Sequence, residues 1–167
     1  MTTTASFPFN IKQKDLKLGC IPANISATLE AFGIRGVTEQ RLLEAYLSTI
    51  CFSNIERLGV LSKFTTDGRP LSDFLNLEVH DSSSFEDWWT HVSDWLRSHQ
   101  FVLFAFKING ASHIRTAVTF DPVSNTLETY DPNPQLPPNA IPMTREKLAA
   151  MWSSGKLNHD LLSICRR

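Results

Sequence analysis

The sequence predicts an α+β domain in which N-terminal helices pack on a C-terminal antiparallel sheet. Three observations lead there. Apolar residues recur at helical spacing before residue 100, most clearly Phe85, Trp88, Trp89, Val92, Trp95 and Leu96. After residue 100 the pattern turns to short runs rich in aromatic and β-branched residues, separated by turn signals such as Asn109-Gly110. Helical periodicity returns only once, near Leu148 and Trp152.

The first helix is expected from Cys20 to Phe32. Pro22 suits a first turn, where its missing N–H costs nothing, and Gly33 suits the stop. Ile25, Leu29 and Phe32 form one stripe, with Ala23, Ala27 and Ala31 beside it. Residues 1–18 read as a polar, partly extended arm. A second helix is expected after Thr38 as N-cap, with Leu42, Leu43, Tyr46, Leu47 and Ile50 on one face. Residues 52–80 are punctuated by Gly59, Asp67-Gly68 and Pro70, with a short strand at Leu75–Val79. Ser83 and Glu86 form a capping-box pattern for the third helix. Trp88 and Trp95 lie a heptad apart and read as core. Strands follow at Phe101–Phe106, His113–Phe120 and Thr126–Tyr130. Then come a proline-rich loop, Asp131–Pro142, a short helix capped by Thr144, and a closing strand at Leu161–Cys165.

The chain has 167 residues, 42% hydrophobic and 20% charged, which suits one soluble globular domain over 1–167. A net charge of −1 gives no electrostatic case for nucleic acid or an anionic membrane. No apolar run reaches the roughly 18 residues that span a bilayer, and no secretory signal is legible at the N-terminus. A cytoplasmic location is expected, and delivery outside the cell without a signal peptide also fits. Three scattered cysteines, Cys20, Cys51 and Cys165, suit free thiols in a reducing compartment. No CxxC or HExxH motif argues for zinc, so neither metal nor cofactor is expected.

The chemistry centres on Cys20. Alone, a cysteine at a helix start is a small buried hydrophobe. It becomes a nucleophile when helix N–H groups and a base favour the thiolate. His113, opening a strand, is the candidate base. Asp121 lies eight residues further along the strand, roughly 26 Å away, too far to orient it. The turn at Pro122–Val123 brings the next strand back, which places Asp131 opposite His113 within about two residues. His80 and His159 fall in expected loops, and His91 and His99 in or after the third helix. None has a carboxylate returned by so short a hairpin, so each reads as a surface residue. The Cys20 N–H is one natural oxyanion donor, and an upstream amide, Gln13 or Asn10, is available as a second.

At these residues a resemblance enters. Gly19–Gly33, GCIPANISATLEAFG, resembles the nucleophile helix of the papain-like peptidase domain that cleaves bacteriocin leader peptides. That family shows a glutamine, a cysteine followed by glycine and proline, then an alanine-rich helix ending in an aromatic and glycine. Further on comes a histidine opening a strand and, about 17 residues later, Asp-Pro. Here these are His113 and Asp131-Pro132, 18 positions on. REKLAAMWSSG and the apolar strand after it resemble the family's closing helix and last strand.

The resemblance implies a papain-like fold, a bacterial source and a thiol peptidase with Cys20, His113 and Asp131 as its triad. Gln13 and the Cys20 N–H would form the oxyanion hole. Ile21 departs from the usual glycine, and Gln13 lies seven positions before Cys20 rather than six. The membrane and nucleotide-binding domains that follow in transporter-linked members are not expected here, so their double-glycine leader specificity does not carry over.

The reading is therefore a thiol hydrolase of a peptide or isopeptide bond, with a peptide or protein as partner. Two alternatives use the same residues. One is an acyltransferase or deamidase, an effector modifying a partner protein. The other is a non-catalytic peptide-binding module. The sequence assigns no oligomeric state.

Overall fold

The computed structural model describes residues 7–17, 19–45, 61 and 64–167. Helix α1, Cys20–Ala31, leaves Gly19 and ends at Phe32, whose N–H returns to the Thr28 and Leu29 carbonyls. Helix α2, Glu39–Glu44, is capped by Thr38, whose hydroxyl accepts from the Arg41 N–H. Leu42 is buried as expected, whereas Tyr46, Leu47 and Ile50 lie outside the described residues.

A two-stranded hairpin follows, β1 (Thr65–Thr66) and β2 (Arg69–Pro70). Asp67 and Gly68 turn it at φ of 51° and 73°, the two positive values a tight primed turn needs. The sequence pattern marked this turn but not its strands. After a 3-10 turn at Leu71–Asp73 come β3 (Leu75–Asp81) and α3 (Phe85–Arg97). The cap of α3 is Ser84, one residue beyond the expected Ser83: its hydroxyl accepts from the Asp87 N–H. Ser83 instead donates its N–H and hydroxyl to the Asp87 carboxylate.

Strands β4 (Phe101–Ile108), β5 (Ala111–Asp121) and β6 (Thr126–Tyr130) form the expected meander. Asn109 and Gly110, at φ of 49° and 79°, make the β4–β5 turn. Strand β7, Ile141–Thr144, was read from the sequence as the end of a loop. Pro142 hid it. A sheet edge tolerates a proline, and β7 pairs only with β6. Helix α4 (Arg145–Ser153), capped by Thr144 as expected, and β8 (Leu157–Arg166) close the chain.

The six-stranded sheet is antiparallel throughout and runs β3-β8-β4-β5-β6-β7. Period-2 alternation divides the apolar residues of β4 and β8 between its two faces. Leu103, Leu162 and Ile164 pack with Ile25, Leu29 and Leu42 from α1 and α2. Val102, Phe104, Phe106 and Leu161 pack with Trp88, Val92 and Trp95 of α3 and Leu148 of α4. The tryptophans of α3 are thus core, as their spacing predicts. The N-terminal arm is less polar than expected. Phe7 is buried, and with Phe9 it joins Tyr130 and Phe101 in an aromatic cluster.

No helix among the described residues is long and apolar enough to cross a membrane. Cys20 and Cys165 carry free thiols, and Cys51 lies outside the described residues.

Candidate active site

Cys20 is the first residue of α1, and the element around it explains why it can sit there. The first N–H groups of a helix have no intrahelical acceptor, and Pro22 contributes none. Gly19 has an ordinary φ of −77°, so glycine is needed here for space. A Cβ at this position would lie 2.2 Å from Glu39 Oε1 and 2.5 Å from the Asp15 carbonyl oxygen. Glu39 is fixed at that place because its carboxylate accepts the N–H groups of Lys14 and Asp15, which binds the arm to α2.

Asn24, one turn further along α1, joins the helix to β5. Its amide nitrogen donates to the carbonyls of Cys20 (2.8 Å) and Ile114 (3.2 Å), and its amide oxygen accepts from the Thr116 hydroxyl at 2.8 Å. Asn24 and Thr116 are fully buried, so these bonds are made away from water. They hold the start of α1 against the stretch of β5 that carries His113.

The structure brings Cys20, His113 and Asp131 together. Cys20 Sγ lies 3.8 Å from His113 Nδ1, and His113 Nε2 lies 2.7 Å from Asp131 Oδ2. His113 is the third residue of β5 rather than its first, and its ring meets Phe106 edge-on at 5.5 Å. The hairpin argument for Asp131 holds with a shift. Thr116 pairs with Tyr130, so Asp131 continues β6 level with Arg115, two residues from His113. An irregularity between Ala117 and Thr119 sets this register.

That register exposes a residue the sequence reading missed. Arg115, two positions from His113 along β5, donates from Nε to the same Asp131 Oδ2 at 2.6 Å. Asp131 Oδ1 accepts the Asn133 N–H at 2.9 Å. The carboxyl is buried, which by itself would raise its pKa. Its bonds with His113, Asn133 and Arg115 outweigh that and bring it down to about 2.

An ionised carboxylate can only accept, so the bond to Asp131 places a proton on His113 Nε2, and in the neutral tautomer that leaves the Nδ1 lone pair facing the thiol. Burial, with the negative charge of Asp131 adding to it, pushes the Cys20 thiol up to about 12. The resting thiol is therefore protonated at neutral pH.

Gln13 is in the neighbourhood, but its amide is engaged. Its side-chain nitrogen donates to the Asp15 carbonyl at 3.0 Å, and its backbone N–H donates to Pro132 O at 2.9 Å. Lys12 beside it donates to the carbonyls of Asp131 and Pro137, fastening the proline-rich loop to the arm. Asn10 is exposed, in the turn at Phe9–Asn10.

His91 lies in α3 and His99 just after it, as expected, and two other histidines depart from expectation. His80 lies in β3 and His159 in β8, both in strands rather than loops. His80 and His91 share the carboxylate of Asp87, while His159 stacks on Trp152.

No family model matches the sequence, and no curated protein matches it. Among solved structures, the peptidase domain of Streptococcus ComA, a bi-functional ABC transporter involved in a quorum sensing pathway, aligns over 93% of this chain and 95% of its own. The TM-score is 0.60 at 14% sequence identity. The fold is papain-like. The peptidase domain of Streptococcus mutans ComA also aligns, over 64% of this chain and 81% of its own, at 15% identity and a TM-score of 0.38. Identities this low establish fold alone. Within the papain-like fold of this chain, Cys20 opens the first helix, His113 lies in β5, and Asp131 directly follows the adjacent strand β6. The closing helix and last strand expected from REKLAAMWSSG are α4 and β8.

Proposed function

We propose that this chain is a thiol hydrolase that cleaves a peptide or isopeptide bond, with Cys20 as nucleophile, His113 as general base and acid, and Asp131 as the group that orients His113. One observation carries the reading: the unbroken line from Cys20 Sγ through both ring nitrogens of His113 to an ionised Asp131. The papain-like fold supports the same substrate class.

Cys20 Sγ attacks the substrate carbonyl carbon while its proton passes to His113 Nδ1. The developing imidazolium is stabilised through Nε2–H by Asp131, whose charge Arg115 partly offsets. The carbonyl oxygen becomes an oxyanion held by the Cys20 N–H. Gln13 joins as second donor once its amide leaves the Asp15 carbonyl. The C–N bond breaks as His113 returns the proton to the leaving amine, which leaves a thioester on Cys20. Water then attacks the thioester, giving one proton to His113. The acid departs and the thiol takes that proton back. The 3.8 Å sulfur–nitrogen contact is at the long end for such a pair and shortens when substrate fills the site.

The test is digestion of a peptide mixture followed by product mass spectrometry. Hydrolysis adds water across a cut bond, transfer leaves an amine adduct, and deamidation adds about one dalton without cutting. Cutting by the wild type, lost in Cys20→Ala and reduced by about 10²–10⁴ in His113→Ala, is the expected result. Cutting that survives Cys20→Ala refutes the assignment.

A further inference from the structure

The far edge of the sheet carries a cluster that the chemistry above does not use. We infer that His80, Asp87 and His91 form a surface site for a zinc-class divalent metal ion, with one ligand atom from each residue. Among the described residues this is the one group of three such ligands whose donor atoms lie within 4.8 Å of one another.

The residues come from two elements. His80 is near the end of β3, while Asp87 and His91 are one turn apart on α3. The cap at Ser84 starts α3 so that Asp87 falls in its first turn, facing the strand it has just left. His80 Nε2 lies 2.9 Å from Asp87 Oδ2, and His91 Nδ1 lies 3.0 Å from Asp87 Oδ1. The same nitrogen is 3.0 Å from the Asp87 carbonyl oxygen. The two imidazoles stack, with centroids 3.5 Å apart and planes 14° from parallel. Trp95 stands edge-on to both rings and closes one side.

The geometry points to a shared cation. Two imidazoles from different elements direct a nitrogen at one carboxylate, and one donor atom from each of the three residues lies within 4.8 Å of the others. Tetrahedral zinc with ligands at about 2.1 Å places its donor atoms about 3.4 Å apart. The two separations run to different oxygens of Asp87, so on binding one oxygen takes the ion while the stacked rings, whose lone pairs lie in near-parallel planes, turn about their Cβ–Cγ bonds to meet at it. Each imidazole would then carry its proton on the outward nitrogen, Nδ1 of His80 and Nε2 of His91, so a tautomer exchange frees both lone pairs. The Ser83 N–H and hydroxyl, both on Oδ2, orient the carboxylate from behind. The side chains remain a quarter to a third exposed, so an ion can enter and water can fill the fourth position. Two imidazoles and a carboxylate suit zinc, copper or nickel better than calcium or magnesium. Bound metal would bridge β3 to α3 across the loop at Ser82–Ser84. His113 and Asp131 lie on the other side of the sheet's centre, on β5 and at the end of β6.

The test is zinc chloride titrated into the full chain by calorimetry, in a Cys20→Ser background so that the thiol and His113 offer no competing site. Imidazole resonances are followed by NMR in parallel. The expected result is one zinc ion per chain, shifts confined to His80 and His91, and a raised melting temperature. His80→Gln and His91→Gln each weaken binding by more than about tenfold and remove the thermal gain. Both variants leave Asp87 in its capping position, and circular dichroism confirms that they fold. Absence of uptake at about 1 mM zinc overturns the proposal. Uptake of equal strength in both variants overturns it equally.

Discussion

Replacing Asp131 by asparagine tests the electrostatics of the site through stability rather than activity. The side chain keeps its shape and loses its charge. In the wild type, the carboxylate is 1% exposed and accepts from His113, Arg115 and the Asn133 N–H. Its pKa falls from 3.8 to about 2. At about 1.4 kcal/mol per unit, that shift corresponds to about 2 kcal/mol of stability at neutral pH. A depressed carboxylate pKa means that this stability is present above the unfolded value and is lost as pH falls through the folded one. About 1 kcal/mol of it remains at pH 3. Arg115, itself buried, would face a neutral amide in the variant and adds to the loss. The assay is urea unfolding of both proteins from pH 7 down to pH 3. The expected gap is about 2 kcal/mol or more at pH 7, narrowing steadily below pH 4. A gap that is absent, or that keeps its size down to pH 3, refutes the claim that Asp131 is held ionised by its partners.

Further outcomes follow from neighbouring residues. Gly19→Ala drives a Cβ into Glu39 and the Asp15 carbonyl, costing about 1–3 kcal/mol in thermal unfolding. Glu39→Ala restores only part of this, because the backbone clash remains. Asn24→Ala strips partners from the Cys20 and Ile114 carbonyls and from Thr116, and lowers stability by about 2–4 kcal/mol in denaturant. Cys20, with its thiol pushed up to about 12, alkylates with iodoacetamide at a rate still rising at about pH 10. A plateau below pH 7 would show a preformed thiolate and contradict the protonated resting thiol.

What the sequence discloses about this site follows from chain connectivity. His113 and Asp131 are joined by one hairpin, so their approach follows from strand rise and turn position. Cys20 is marked by the helix it starts. Arg115 was hidden because its role depends on a one-residue irregularity beyond Ala117, which decides which β5 residue faces Asp131. Asn24 reads as an ordinary polar residue in a helix until β5 is placed against it. His80 and His91 meet only because α3 folds back on β3, a tertiary fact with no local signal. Strand β7 was concealed by Pro142, and the contribution of Phe7 to the core by the polar residues around it. Turn and cap chemistry read more directly: Asn109-Gly110, Thr38 and Thr144 each do what their residue types predict.

The central claim is that Cys20 forms a thioester with its substrate through proton transfer to His113. It is tested most directly by mixing the protein with an activated peptide ester, quenching in acid within the first turnover and measuring intact mass. The account predicts an acyl adduct mapped to Cys20, absent in Cys20→Ala and formed about 10²–10⁴ times more slowly in His113→Ala. An adduct that forms at the same rate without His113, or that maps to another residue, contradicts it.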